Sequence, residues 1–360
     1  MKNEDGHSSQ AIPDPIPNSE VKLVASVVLV SHKRRNSDAV FFILHKFIYK
    51  YSAFRIMEVK RAFLTGATGF VGSNLARELV KQGYQLTATG KDKEQSLGGL
   101  ECNLMHVPFY EVSWSTVGKI DVLFHQAAIA DTRVKDRTEM MIVNCMESIN
   151  LFKNAIERGC RKIIYASSTE VYGNSKPPYV EGIGEEPLNV YGESKLLLDK
   201  KAMELAAKHP EVTIVGLRYC NVYGPGEGHK GPMANMVYQL AQQMQKGNPK
   251  IFEFGEQKRD QIYVKDVVRA NFCALNSLES TYVNCGTGNP VSFNEMINVL
   301  NEVTGTNRTP EYISNPYAAQ YQSHTECDIT KARERIGFAP QYSFREGVED
   351  YYKSGKLICN

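Results

Sequence analysis

The chain predicts an α/β fold, a doubly wound parallel sheet followed by a smaller C-terminal α/β region. Three observations carry this. A short apolar strand, Ala62 to Thr65, runs into Gly66, Gly69 and Gly72, and then into a segment with Val71, Leu75, Leu79 and Val80 on one helical face. Further short apolar runs follow at Tyr84 to Thr89, Ile120 to His125 and Arg161 to Ala166, with a helical stretch from Asn144 to Arg158 carrying Ile149, Phe152 and Ile156. Polar, chemistry-bearing residues fall where these runs end, the edge at which open parallel sheets bind their ligands.

At 360 residues the chain can bury a large core, as one big α/β domain or as two. A net charge of +2 with 23% charged residues gives no general attraction to nucleic acid or to a membrane. Eight cysteines are scattered without a C-x-x-C pair. That pattern predicts reduced thiols, no metal site and a cytoplasmic protein. Residues 1–56 do not match the rest. Their apolar patches, Val21 to Val30 and Val40 to Tyr49, fall short of the roughly 20 residues a membrane span needs. Charge and apolar segments come in the wrong order for a signal peptide, and Glu4, Asp5, Asp14, Glu20 and Asp38 disfavour a transit peptide. They are expected to be a poorly structured extension, with the working protein beginning near Met57.

The glycine triplet predicts a Rossmann-type dinucleotide site. Gly66 permits the tight turn, Gly69 lets a pyrophosphate approach the backbone, and Gly72 lets the helix pack close to the strand. Phe70 and Val71, at the positive end of that helix, complete the turn. The next strand ends in Thr89-Gly90-Lys91-Asp92-Lys93, without the usual acid for the adenosine ribose. Lysines there could meet a 2′-phosphate, which favours NADP over NAD; Asp92 acting on the ribose, or lysines that are simply solvated, are the alternatives. Gln126, Ala127 and Ala128 end the following strand, where small residues let a cofactor lie flat, and Asn144 is assigned to the same site. His125 is read as packed.

The strand from Arg161 delivers Ser167, Ser168, Thr169 and Glu170 at its end. Tyr191 and Lys195 follow, one helical turn apart and on one face. An ammonium beside a phenol favours the phenolate, lowering a pKa of about 10 toward neutrality. Such a tyrosine can take a hydroxyl proton while a nicotinamide takes the hydride. Taken alone, a Y-x-x-x-K pair is common on helices; after the glycine turn and the serine strand end it is specific.

Together, T-G-x-x-G-x-x-G at Thr65 to Gly72, Ser168 and the Tyr191/Lys195 pair resemble the extended short-chain dehydrogenase/reductase superfamily, over about Met57 to Tyr352. The resemblance implies an enzyme acting on a nucleotide-diphosphate sugar, expected as a homo-oligomer. It implies an NADP-binding domain over 57–220, with a returning segment at about 260–287, and a substrate domain from 221–259 and 288–360. Asn221 and Val222, in Leu217 to Pro225, are expected near the diphosphate, and Arg259 is expected to hold it with its guanidinium fork. Gly224 to Gly231, with Pro187 to Gly192 and Lys250 to Glu253, looks like the ADP-L-glycero-D-manno-heptose 6-epimerases. In that branch the lysine matching Lys230 is a second acid/base opposite the tyrosine, and NADP is the cofactor.

The implied catalytic set is therefore Tyr191, Lys195, Ser168 and Lys230, with Tyr321 added to the substrate contacts. Departures from that branch are Glu170 in place of a small residue, Pro232 and Gln239 in place of a serine and a histidine that contact substrate, and no arginine before Tyr321. A UDP-sugar 4-epimerase, a uronate decarboxylase or a dehydratase of the same scaffold are the alternatives, with a non-catalytic NADP-binding protein behind them. The segment Met233, Met236, Val237, Leu240 and Met244 is read as core.

Overall fold

Seven parallel strands form the central sheet, in the order Thr281–Cys285, Thr213–Tyr219, Lys162–Ser168, Val122–His125, Arg61–Thr65, Gln85–Thr89 and Asn103–Met105. The computed structural model describes residues 61–91, 97–131, 136–316 and 322–358, all within the unit Val59–Asn360. The N-terminal extension, expected to be poorly structured, lies outside the described residues.

The sheet is built from β1 (Arg61–Thr65), β2 (Gln85–Thr89), β3 (Asn103–Met105), β4 (Val122–His125), β5 (Lys162–Ser168), β6 (Thr213–Tyr219) and β11 (Thr281–Cys285). Covered on both faces, β4 and β5 read as continuous apolar runs rather than alternating ones. Chain order reverses between β1 and β4, which opens a crevice beyond their C-terminal ends. Helix α1 (Phe70–Lys81) turns Leu75, Ala76 and Leu79 into the core. Strand β5 runs two residues further than the sequence reading, so that Ser168 is its last residue.

The stretch read as one helix from Asn144 is composite. A short α2 (Trp114–Val117) precedes β4; after it come α3 (Arg137–Met141), a π-helical segment (Ile142–Glu147) and α4 (Ser148–Glu157). The π segment widens the helix around Asn144, a distortion frequent at functional sites. Helix α5 (Val190–Lys208) begins at Asn189, whose side chain accepts the Gly192 N–H as an N-cap.

Beyond β6 the chain continues through β7 (Asn221–Tyr223), α6 (Met236–Lys246), β8 (Lys250–Phe252), β9 (Lys258–Arg259), β10 (Gln261–Tyr263), α7 (Val264–Ala274), β12 (Val291–Ser292), α8 (Phe293–Thr304), β13 (Glu311–Ile313), α9 (Thr330–Ile336) and α10 (Phe344–Lys353), of which α7 and α9 return to the core of the central sheet. Capping boxes at Ser292/Glu295 and Ser343/Glu346 start α8 and α10. Val237, Leu240, Met244, Met296, Leu300 and Tyr351 bury one core cluster among α6, α8 and α10. The methionine stripe is core as read, except that Met233 precedes the Asn235 N-cap and lies outside the helix.

Two cysteines far apart in the chain come together in the fold. Cys220, Cys327 and Asp260 are buried with their ligand-type atoms within 4.8 Å of one another. The Asp260 carboxylate accepts from Thr287 N–H (2.8 Å), Thr287 Oγ1 (2.5 Å), Gly288 N–H (3.0 Å) and Cys327 N–H (3.0 Å). It is a junction of loops rather than a spare ligand. Among the described residues no helix is long and apolar enough to cross a membrane.

Candidate active site

A cavity of about 200 Å³ opens at the β1/β4 crevice, lined by Gly66, Gly69, Thr89, Lys91, Tyr110 and Gln126, with Ala127 and Ala128 beside them. Its floor is the glycine turn. Gly66 has φ +69°, and a Cβ there would stand 2.7 Å from the Ala127 nitrogen. A Cβ on Gly72 would reach 2.0 Å from the Gly66 carbonyl oxygen. Gly69 caps α1 without a side-chain bond, so the first helical N–H groups face the crevice. The backbone therefore fits a pyrophosphate. Phe70 is buried behind the turn and Val71 packs partly against the core.

Gln126 is held in place: it accepts from Tyr219 Oη (3.0 Å) and donates to Asn271 Oδ1 (3.0 Å). Asn144 sits behind the cavity wall. Its amide closes on both polar groups of Ile129 (2.8 and 2.9 Å), which lines the cavity, and donates to Ser194 (3.1 Å). It is fully buried. His125 is packed as read, bonded to Thr65 and Ser148, and burial, with Lys195 nearby, keeps it well below its ordinary pKa. Lys91 is exposed at the cavity mouth, its Nζ 5.7 Å from the Tyr110 ring centre. Asp92 and Lys93 lie outside the described residues.

At the end of β5, Ser168 Oγ accepts the Glu170 N–H (3.2 Å) and is hydrogen-bonded to the Tyr191 side chain. Lys195 is buried and donates to the Ala166 carbonyl (2.9 Å), its Nζ lying 5.8 Å from the Tyr191 ring centre. The three proposed groups are thus together, but the expected tuning is reversed. Burial pushes Tyr191 up to about 12, the Ser168 bond pulls it down, and Glu170 adds to the rise. Burial also takes Lys195 down to about 8, opposed by Asp199. The ammonium does not set the phenol; its hydrogen bond goes to Ala166. Glu170 is clamped by Asn189, whose Nδ2 donates to Oε2 (2.8 Å), tying it to the N-terminus of α5.

Lys230 sits in a 3₁₀ turn (Gly228–Met233), its Nζ 5.6 Å from the ring of Phe70, the first residue of α1. That brings a second basic group beside the dinucleotide turn. Burial lowers its pKa and Glu227 raises it. Asn221 Nδ2 is committed to the Asp260 carbonyl (3.1 Å) and Thr325 Oγ1 (3.2 Å), while Val222 packs against the core. Arg259 donates to the Lys258 carbonyl and lies 6.0 Å from the Phe293 ring centre. Gln239 donates to the carbonyls of Pro232 (3.2 Å) and Ala234 (2.7 Å), so the two positions that depart from the heptose branch meet each other. Tyr321 lies outside the described residues.

Sequence reasoning missed Asp199, Arg218 and Glu227. Arg218 Nε, on β6, bonds Asp199 Oδ2 (2.8 Å), on Lys195's own helix, and both are fully buried. Asp199 follows Tyr191 and Lys195 at helical spacing, a signal that was there to find.

A model of the NAD dependent epimerase/dehydratase family matches residues 62–286. Among solved structures, the chain is similar to ADP-L-glycero-D-manno-heptose-6-epimerase of Helicobacter pylori, with 34% identity, 84% of this chain and 98% of that one covered, and a TM-score of 0.77. UDP-glucose 4-epimerase of Thermotoga maritima, solved with UDP-glucose, is 28% identical over 82% of this chain and 99% of that one, with a TM-score of 0.74. UDP-glucuronic acid 4-epimerase of Bacillus cereus, in complex with UDP-glucuronic acid and NAD, is 26% identical over 81% and 98%, with a TM-score of 0.71.

Proposed function

The chain belongs to the NAD dependent epimerase/dehydratase family, and from that premise we propose that it epimerises ADP-D-glycero-D-manno-heptose with NADP as cofactor. The observation that carries the reading is Lys230 over Phe70 at the glycine turn, in addition to the Ser168–Tyr191 pair at the end of β5. An epimerisation that returns a hydride to the opposite face of a carbonyl benefits from a proton group on each side.

A dinucleotide held at the glycine turn would supply the hydride acceptor and donor. Tyr191 takes the hydroxyl proton of the sugar, its phenolate favoured by the Ser168 hydroxyl against the burial that holds it neutral. Ser168 hydrogen-bonds the reacting oxygen and the Tyr191 hydroxyl. Lys195 fixes the cofactor ribose from its place against Ala166. Lys230 donates the proton when the ketone is reduced from its other side. Asn221 and Arg259 hold the nucleotide diphosphate, and Tyr321 completes the sugar contacts. The reading keeps a homo-oligomer in the cytoplasm and a Rossmann domain with a separate substrate domain.

Incubation with ADP-D-glycero-D-manno-heptose, followed by proton NMR, tests it: the L-glycero epimer should appear without net NADPH. An unchanged heptose overturns the substrate. UDP-glucose is the second reading, favoured because Gln239 and Pro232 are engaged with each other.

A further inference from the structure

A carboxylate buried beside Lys230 has no part in the scheme above. Glu227 is fully buried. One of its oxygens accepts the Gly224 N–H (3.0 Å) and the other the Asn235 N–H (2.6 Å). The Tyr351 side chain of α10 faces the same carboxylate. Glu227 therefore closes the turn from 224 to 235 at both ends. Lys230 hangs from the middle of that turn, its own N–H bonded to the Glu227 carbonyl (2.9 Å). A second tether, Asn74 Nδ2 to the Pro225 carbonyl (2.9 Å), fixes the turn to α1.

We propose that Glu227 is a positioning residue for Lys230, fixing the turn that carries it and supplying the buried counter-charge for its ammonium. This rests on Lys230 being the second acid/base. A neutral latch does not account for the arrangement. Both oxygens accept backbone N–H groups, which a glutamine cannot reproduce at both ends. Burial raises Glu227 to about 7, its two N–H donors and then Lys230 pulling it back. Tyr223, Tyr351 and Lys230 are the titratable groups that face it. Lys230 loses hydration in the crevice, and Glu227 is the group that compensates.

The test measures Lys230 itself. Lysines of the full chain are reductively methylated with ¹³C-formaldehyde, the Lys230 signal is assigned from its loss in Lys230→Ala, and its titration is compared in Glu227→Gln and Glu227→Asp. The midpoint should fall by about one unit in Glu227→Gln, the size of a lost near contact between opposite charges, and recover in Glu227→Asp. An unchanged midpoint overturns the proposal. Epimerisation kinetics then separate the two readings. If Lys230→Ala turns over at the parent rate, the acid/base reading fails. If Lys230→Ala is slow, Glu227→Gln should lower kcat at least tenfold, and the double variant should be no slower than Lys230→Ala alone. Losses that multiply would show that Glu227 acts independently of Lys230 and overturn the proposal. Dinucleotide titration in each variant verifies that the glycine turn is folded; if Glu227→Gln is not, Glu227→Ala replaces it, with the same fall in the Lys230 midpoint expected.

Discussion

Asp199 lies one turn beyond Lys195 on α5, and it is the main influence opposing the burial that lowers this lysine. The Asp199 carboxylate is itself held by Tyr165 Oη (2.9 Å) and Arg218 Nε (2.8 Å). Asp199→Asn removes the counter-charge from two buried cations at once. Lys195 should move below about 8, and Arg218 should retain only its contacts to Tyr172 and Glu185. Loss of one partner from a buried pair predicts a stability drop of about 3 kcal/mol. Urea unfolding at pH 7, together with the pH profile of turnover, checks both effects. A variant that unfolds at the parent midpoint would contradict them.

The Lys195 shift also carries a sign. Its pKa falls from 10.5 to about 8 on folding. Between those values the unfolded chain binds the extra proton. The cost of burying the ammonium is fully present below pH 8 and is relieved as pH rises toward 10.5, by about 3 kcal/mol from this residue. Activity should move the other way, because the ammonium is lost through the same window. Stability measured from pH 7.5 to 9.5 should rise in the parent relative to Lys195→Met, while turnover of the parent falls. Parallel stability curves would refute the shift.

The glycine turn, the serine strand end and the Tyr191/Lys195 pair were legible because each is local: a tight turn, a strand terminus and a single helical turn state their geometry in adjacent residues. The bonds of Asn144 to Ile129, fifteen residues away in the chain, are stated by no local pattern. Glu227 reads as a loop carboxylate until Asn235 and Tyr351 fold over it. The phenol's pKa was misjudged for a similar reason. Spacing puts Lys195 beside Tyr191, but only the folded sheet brings the Ala166 carbonyl to its Nζ and buries the hydroxyl against Ser168. Cys220 and Cys327 meet across more than a hundred residues, which no spacing rule reaches.

Two glycines in the turn should separate on substitution. At Gly72 a Cβ meets the Gly66 backbone at 2.0 Å, and backbone there cannot give way. Gly72→Ala should cost about 1–3 kcal/mol and abolish dinucleotide binding. At Gly69 a Cβ would stand 3.3 Å from the same oxygen. Gly69→Ala should fold nearly as well as the parent and lose affinity only for the dinucleotide. Thermal melts with and without NADP distinguish the two: a lower Tm in both conditions for Gly72→Ala, and a lost ligand-induced rise alone for Gly69→Ala.

Cofactor choice should follow Lys91. Its ammonium is exposed at the cavity mouth, where a 2′-phosphate would approach, and no described acid lines the cavity there. Lys91→Glu should weaken NADP relative to NAD by about tenfold or more, the effect of exchanging one attractive contact of about 1 kcal/mol for a repulsive one. Fluorescence titration with each dinucleotide gives the ratio. A ratio unchanged from the parent would remove Lys91 from cofactor selection.

The pair Pro232 and Gln239 offers a test of the sugar. In the heptose branch that this chain resembles, a serine and a histidine at these positions touch substrate. Here the Gln239 amide donates to the carbonyls of Pro232 and Ala234, stapling the loop that begins with Lys230 onto α6. A side chain used this way has no donor left for a sugar hydroxyl. Restoring Pro232→Ser and Gln239→His together should free the loop and return two polar contacts to the crevice. With ADP-D-glycero-D-manno-heptose, each contact is worth about 1 kcal/mol if realised in the transition state. The double variant should then raise kcat/KM roughly tenfold or more. The effect should exceed that of either change alone, because the Gln239 side chain holds the Pro232 backbone carbonyl. A gain on UDP-glucose instead, or a loss on both sugars, would mean that the staple belongs to recognition of a different nucleotide sugar.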